Sequence, residues 1–234
     1  MKTIVLSLGG SVLVPSLESN NISRYASVLR EIAQRCRLYV VIGGGGEARR
    51  YISVARSLGM DEAGSDELGI QITRLNAALL AGALGDSAYP AIPGSCREAK
   101  RFGESGKIVV MGGVAPAQTT DAVSAVLAEC VHADVLVNAT SVDGIYSADP
   151  KTNPSARRYD ALTPEELIAI VAGDRLHAGS NAVIDIVAAK VIQRSSIPLV
   201  VLDGRDPDTL KNALLGVTFR GSVVNPDKRN PLPL

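Results

Sequence analysis

Leu38-Tyr39-Val40-Val41-Ile42-Gly43-Gly44-Gly45-Gly46-Glu47-Ala48-Arg49-Arg50-Tyr51 is the stretch on which the architecture turns. Its apolar run is short, β-branched and without alternation, which predicts a strand buried on both faces of a parallel sheet. Four glycines end the run, and the residues after them predict a helix. Glycine tolerates positive φ and lets backbone come close to a ligand. A helix N-terminus adds free N–H groups and a positive dipole end. Together these make an anion cradle, to which Arg49 adds a guanidinium able to grip phosphate with two hydrogen bonds. A tight turn alone needs fewer glycines, so phosphate binding is the stronger reading.

Two familiar glycine motifs fit poorly. A Walker loop requires Lys-Ser or Lys-Thr after its glycines, and neither follows here. Gly43, Gly45 and Ala48 satisfy the dinucleotide spacing Gly-x-Gly-x-x-Ala. That pattern expects an acidic residue at the end of the next strand, about 20 residues on. Asp66 stands near that distance, but residues 68–80 after it have helical periodicity.

The chain has 234 residues, enough for one large α/β domain or two lobes sharing a sheet. Hydrophobic residues make up 46%, aromatics only 3%, and Trp is absent, so a core of Ala, Val, Leu and Ile under helices is expected. Zero net charge gives no electrostatic case for nucleic acid or an anionic membrane. Cys36, Cys96 and Cys130 are widely spaced, odd in number and outside metal-ligand spacing, which suits reduced thiols. The apolar run at the N-terminus is too short for a signal peptide, and no stretch reads as a bilayer span. A soluble, cytoplasmic protein is expected.

Residues 3–8 predict the first strand, which runs into Gly9-Gly10-Ser11, either a plain turn or a second phosphate loop. A helix follows over 21–34, then the central strand and glycine loop, then a helix to about 58 with Gly59 as its stop. Asp66 is expected at the start of the next helix, where it is either a cap or something more. Residues 88–92 and 107–111 predict strands, with a short helix from Ser95 between them. Gly112-Gly113 opens a loop of small residues ending in Thr119, Thr120 and Asp121. These either cap the helix that follows or face a ligand at a strand's C-terminal end. His132 ends that helix and reads as structural. Residues 134–138 predict a strand, after which Asp143-Gly144 reads as a turn and Tyr146 as a flat border for an adenine. Residues 151–159 read as loop, and Thr163-Pro164-Glu165-Glu166 as a strong helix start. Gly179-Ser180-Asn181 leads into a helix to about 195, then come a strand at 197–202, a helix at 206–214 and an edge strand at 218–224.

Five pieces now stand in a specific order: Gly9-Gly10-Ser11; Gly43 to Gly45 with Arg49; Asp66-x-x-Gly69; Gly112-Gly113 to Thr119-Thr120-Asp121; and Thr140-x-x-Asp143-Gly144-x-Tyr146-x-x-Asp149-Pro150. In that order they resemble the amino acid kinase superfamily, and within it the archaeal-type uridylate (UMP) kinases, over nearly the whole chain. The resemblance implies a three-layer α/β/α sandwich on a mainly parallel sheet, as a single domain over residues 1–234. A lobe of about 1–132 would hold UMP and a lobe of about 133–234 ATP, and transfer of the γ-phosphoryl group would give UDP and ADP. By position it implies a UMP site of Gly44, Asp66, Val114, Ala115, Pro116, Ala117, Gln118, Thr119 and Thr120, with Asp66 accepting from the ribose hydroxyls. It implies an ATP site of Gly10, Ser11, Gly45, Arg49, Thr140, Ser141, Tyr146 and Asp149. Arg49 and Asp121 carry the catalytic expectation, Asp121 by orienting phosphate-binding groups. Mg²⁺ is expected with ATP, without dedicated protein ligands, and a homohexamer serving pyrimidine nucleotide biosynthesis is implied too.

The attacking group would be a phosphate oxygen that is already anionic, so no general base is required and none is visible. Transfer then depends on positioning and charge stabilisation. Many superfamily members carry Lys two residues before the first glycine pair, where this chain has Ser7, so Arg49 and Mg²⁺ are expected to carry more of the charge. Isopentenyl phosphate kinase is the nearest rival of the same fold. It places a His shortly after the second glycine loop, where this chain has Glu47-Ala48-Arg49, and His132 and His177 lie elsewhere. Acetylglutamate and carbamate kinases fit the Asp66 region less well. The rival of another class is a non-catalytic nucleotide or oxyanion binder, as related molybdenum storage proteins are.

Overall fold

Apolar strands without alternation need cover on both faces, and helices supply it. The structure is a computed structural model that describes residues 1–150, 152–174 and 183–233. The first half of the chain forms β1 (Lys2–Leu8), α1 (Gly10–Leu13), α2 (Ile22–Ala33), β2 (Cys36–Ile42), α3 (Gly45–Ser57), α4 (Glu62–Leu84), α5 (Cys96–Gly103), β3 (Val109–Met111) and α6 (Thr120–Val131). The second half forms β4 (Val135–Thr140), β5 (Ile145–Tyr146), β6 (Arg158–Tyr159), β7 (Ala161–Leu162), α7 (Pro164–Asp174), α8 (Ile186–Ser195), β8 (Leu199–Asp203), α9 (Pro207–Leu214) and β9 (Gly221–Val224).

Seven strands make one sheet in the order β3-β2-β1-β4-β8-β9-β7, parallel except where β9 runs against β8. Alternation along each strand sets the layers. On β1, Ile4, Leu6 and Leu8 face a core shared with Tyr25 and Leu29 of α2, Leu80 of α4 and Leu210 of α9. Val5 faces the opposite core, with Leu127 of α6, Leu167 of α7 and Ile192 of α8. The three-layer α/β/α sandwich on a mainly parallel sheet is therefore borne out. Strand order runs outward from β1 to β3 on one side and from β4 to β8 on the other. The crevice beyond the C-terminal ends of β1 and β4 is thus the switch point at which open α/β sheets take ligands.

Local signals behave as their chemistry dictates at several ends. Thr163 Oγ1 accepts from Glu166 N at 3.2 Å while Glu166 Oε2 accepts from Thr163 N at 2.7 Å, a reciprocal capping box at the start of α7. Gly59, at φ +81°, follows α3 as its stop, and His132 takes the left-handed C-cap of α6.

Other expectations are corrected. Residues 88–92 form no strand: Ala88 alone bridges Ile108, and Pro90 denies the segment a ladder donor. α4 begins at Glu62, not at Asp66, because Asp61 caps it by accepting from Gly64 N at 2.7 Å. Residues 151–159 are not all loop, since Arg158 and Tyr159 pair antiparallel with Tyr146 and Ile145. The last strand is not at the edge: β7 pairs parallel with β9 and lies outside it. Contrary to the sequence reading, α4 is long and apolar enough to cross a bilayer; here its Ala77, Leu80 and Leu84 are buried in the sheet's core. His177, the Gly179-Ser180-Asn181 helix start and Lys151 lie outside the described residues.

Candidate nucleotide and phosphate site

The sheet delivers two glycine segments to one point. Gly43 N donates to Leu8 O, and Gly9 N to Ala139 O, both at 3.0 Å, so each loop starts as an extension of its strand. From there backbone meets backbone. A Cβ on Gly10 would lie 2.3 Å from both Gly43 O and Gly45 N, and one on Gly45, at φ +66°, 2.7 Å from Gly10 C. No side chain fits between the loops. Asn76, buried on α4, donates from Nδ2 to Gly43 O at 3.1 Å and to Gly44 O at 3.4 Å, fixing the second loop from behind. Gly45 and Gly46 already belong to α3, whose N-terminus opens on a cavity of about 240 Å³ lined by both loops, Ser7, Thr120, Asp121, Asn138 and Thr140. The N-terminal N–H groups and dipole of α3 make this cavity an anion cradle.

Two further cavities share residues with it. One, of about 590 Å³, has Ser11, Thr140, Ser141, Tyr146 and Asp149 on its polar side and Leu167, Ile170, Val171, Val183 and Ile184 on its apolar side. The other, of about 270 Å³, is lined by Gly44, Gly45 and Ile52, by Asp66, Ile70 and Thr73 of α4, and by Ala115, Gln118, Thr119 and Thr120. Arg49 lines all three. Among the described residues no ion pair involves Arg49, whereas Arg50 beside it donates to Glu47 Oε1 at 2.9 Å.

Asp121 stands at the floor of the cradle. Ser7 Oγ donates to its Oδ1 at 2.9 Å, and Asn138 Nδ2 approaches the same oxygen at 3.4 Å. Burial pushes the Asp121 carboxyl up to about 7, against the pull of the Ser7 hydrogen bond and with help from the charge of Asp185. Thr119 caps α6 by accepting from Ala122 N at 3.0 Å, and its own hydroxyl donates to Asp185, the N-cap of α8. It is a cap and a cavity wall at once. Asp66, one turn inside α4, is not a cap: its Oδ2 accepts from Ala117 N at 2.8 Å and holds that residue at φ +61°.

Gly10, Ser11, Gly44, Gly45, Arg49, Asp66, Ala115, Gln118, Thr119, Thr120, Asp121, Thr140, Ser141, Tyr146 and Asp149 each line one or more of the three cavities. Val114, Pro116 and Ala117 do not: Val114 packs on the core, and the Ala117 N–H is spent on Asp66. The sequence reading misses Asn138, Asp185, Thr73, Asn76 and the apolar wall from α7. Thr73 and Asn76 had a signal, being polar residues on the apolar stripe of α4; the wall of α7 had none, because its residues look like core.

Residues 2–203 match the amino acid kinase family. The chain belongs to the amino acid kinase family. Among its relatives, the uridylate kinase of Methanoculleus marisnigri is 64% identical over 233 residues, with 100% of each chain covered. The crystal structure of uridylate kinase from Archaeoglobus fulgidus is 45% identical and gives a TM-score of 0.84, covering 95% of this chain and 99% of that one. UMP kinase from Bacillus anthracis, at 24% identity and a TM-score of 0.79, covers 97% and 96% and shares the fold.

The Asp121 environment predicts a pH signature. A carboxyl whose folded pKa is raised binds its proton more tightly in the folded state. Its contribution therefore favours folding at low pH and is lost as pH climbs from about 4 through about 7. Over that window the thermal midpoint of the wild type should fall more steeply with pH than that of Asp121→Asn. Parallel curves would put Asp121 in an ordinary carboxylate environment.

Proposed function

We propose that this chain is a UMP kinase, transferring the γ-phosphoryl group of ATP to UMP with formation of UDP and ADP. One observation carries the proposal: two unlike cavities meet at a single glycine cradle, with Arg49 common to all three. The larger, between Tyr146 and the apolar side chains of α7, suits a purine nucleoside. The smaller, between Asp66 and Thr119–Thr120, suits a pyrimidine nucleotide whose ribose hydroxyls donate to the carboxylate. Identity of 64% across the whole chain to a uridylate kinase supports the same acceptor.

The chemistry needs little beyond positioning. The phosphate oxygen of UMP is already an anion, so its attack requires no proton to be removed. Backbone N–H groups of the two loops face the donor phosphates, and Arg49 meets charge that builds on the transferring group. Asp121, fixed by Ser7 and Asn138, holds the floor between the loops. Mg²⁺ would enter with ATP. Asp121, the one carboxylate among the described residues lining the cradle, would face the ion, and the described residues form no cage of three or more His, Cys, Asp or Glu. When bound, the ion neutralises charge on the donor phosphates. Within this reading UDP enters pyrimidine nucleotide biosynthesis in the cytoplasm. The protein works as a homohexamer, and exposed Leu75 and Leu79 on α4 support contact with other copies.

A panel of nucleoside monophosphates and isopentenyl phosphate, each with ATP and Mg²⁺ and read as ADP, tests the assignment. UMP should lead by a wide margin. Equal rates with isopentenyl phosphate, or no ADP from any acceptor, contradict it; a pure binder would keep ATP intact when UMP is added.

Arg49→Ala should lower kcat by roughly 10²–10³, the cost of losing one preorganised donor. Its KM values should change less, because an interaction made in the transition state appears in kcat. Arg49→Lys should rescue only in part, since a point charge lacks the guanidinium fork. A near-normal kcat in Arg49→Ala would leave the residue a solvent-facing charge.

Asp66→Asn should weaken UMP by about 1–2 kcal/mol, the loss of charge assistance to two hydroxyl donors, and leave ATP unaffected. Unchanged UMP affinity would confine Asp66 to tethering Ala117.

A further inference from the structure

The Tyr146 wall of the larger cavity is tied to a buttress outside it. Tyr146 Oη donates to Asp143 Oδ1 at 2.7 Å. The other oxygen, Oδ2, accepts from Arg158 Nη1 at 3.1 Å and pairs with Arg220 Nε. Asp143 and Arg158 are each only 22% exposed, so solvent screens this pair less than a surface one. Asp160 steadies Arg158 in turn, accepting from Nη2 at 2.8 Å. The intervening backbone is clamped as well. Gly144 sits at φ +146°, where a Cβ would lie 2.5 Å from Ser222 Oγ. Ile145 N donates to that hydroxyl at 2.8 Å, and the hydroxyl donates to Tyr159 O. β6 and β9 contribute no lining residue to the cavity, yet they hold the segment that does.

Asp143-Gly144 is therefore more than a turn. We propose that Asp143 is a positioning residue for the donor nucleotide: it orients the Tyr146 ring through the phenolic hydroxyl, with Arg158 and Arg220 keeping the carboxylate charged and in place. The proposal rests on the larger cavity being the donor site. An untethered tyrosine in a cavity wall has rotamer freedom that binding must remove, and a fixed acceptor removes it beforehand. Burial works to raise the Asp143 carboxyl, but the Tyr146 hydroxyl and the two guanidiniums hold it below its ordinary range. Asp143 lines neither the cradle nor the smaller cavity, so its effect falls on the donor alone.

A double-mutant cycle in the full chain tests this. Asp143→Ala should raise the KM for ATP roughly tenfold, and Tyr146→Phe roughly three- to tenfold, as expected for loss of one charge-assisted hydrogen bond. The KM for UMP should stay within about twofold, and the double variant should exceed Asp143→Ala by less than about twofold, because both changes break one link. Asp143→Asn, whose amide oxygen still accepts from the phenol but without charge assistance, should recover part of the loss. Additive effects on the KM for ATP, or an equal rise in both KM values, would overturn the proposal and leave Asp143 to the ion pair alone. Should Asp143→Ala fail to fold, Tyr146→Phe decides: it deletes only the hydroxyl through which Asp143 acts, and an unchanged KM for ATP overturns the proposal. If the wild type makes no ADP from UMP, the functional reading fails instead, and the same cycle read by calorimetric ATP binding still decides the role of Asp143.

Discussion

Two loops whose backbones touch set the rest of the site. The carbonyl of Gly43 and the N–H of Gly45 approach Gly10 so closely that a Cβ there would lie 2.3 Å from either. That contact exists because β1 and β2 are register-matched neighbours, with Leu8 opposite Ile42, so their C-terminal ends arrive together. It is kept in place by Asn76, a buried polar residue whose amide finds its acceptors on the second loop. A buried amide without acceptors would be costly, so α4 and the loop specify each other. The cradle is thus a product of strand register and one side chain from an adjacent helix.

Charge is distributed sparingly around this contact. Among the described residues lining the three cavities, Arg49 is the one Lys or Arg. Ser7 places a neutral donor under Asp121 and contributes no cation. The cradle therefore combines backbone dipoles, a single guanidinium and a carboxyl whose pKa, about 7, lies well above the ordinary aspartate value. Such an arrangement suits transfer between two anions, in which positive potential must be present without binding either phosphate too tightly before transfer. The two nucleoside-sized cavities differ in kind: one has an apolar wall from α7, the other is built between α3, α4 and the Gly113–Thr120 loop.

Much of the frame was legible. The run at residues 38–42 lacks alternation because both faces are covered, and the four glycines announce a place where backbone must come close. What escaped depends on tertiary partners. Residues 88–92 carry apolar side chains, but Pro90 in their middle interrupts the ladder and only Ala88 bridges. Asp66, acidic near a helix start, reads by itself as either a cap or something more; Asp61 does the capping, and Asp66 reaches across to Ala117. Val114 and Pro116 belong to a motif by position yet line none of the three cavities, since a loop of small residues can turn either side to a ligand. Leu167, Ile170 and Val171 are wall residues indistinguishable by type from core. The acidic residue in Asp143-Gly144 looks like turn chemistry until Arg158 and Arg220, distant in sequence, are seen on it.

The central claim is that one cradle joins two nucleotide cavities. Titration calorimetry with a single molecule in which adenosine and uridine are linked through an oligophosphate tests it most directly. One equivalent should bind per chain, more tightly than ATP or UMP alone, and saturating amounts of either nucleotide should weaken it, since the ligand spans both cavities. Binding no tighter than that of ATP, and insensitive to UMP, would contradict the account.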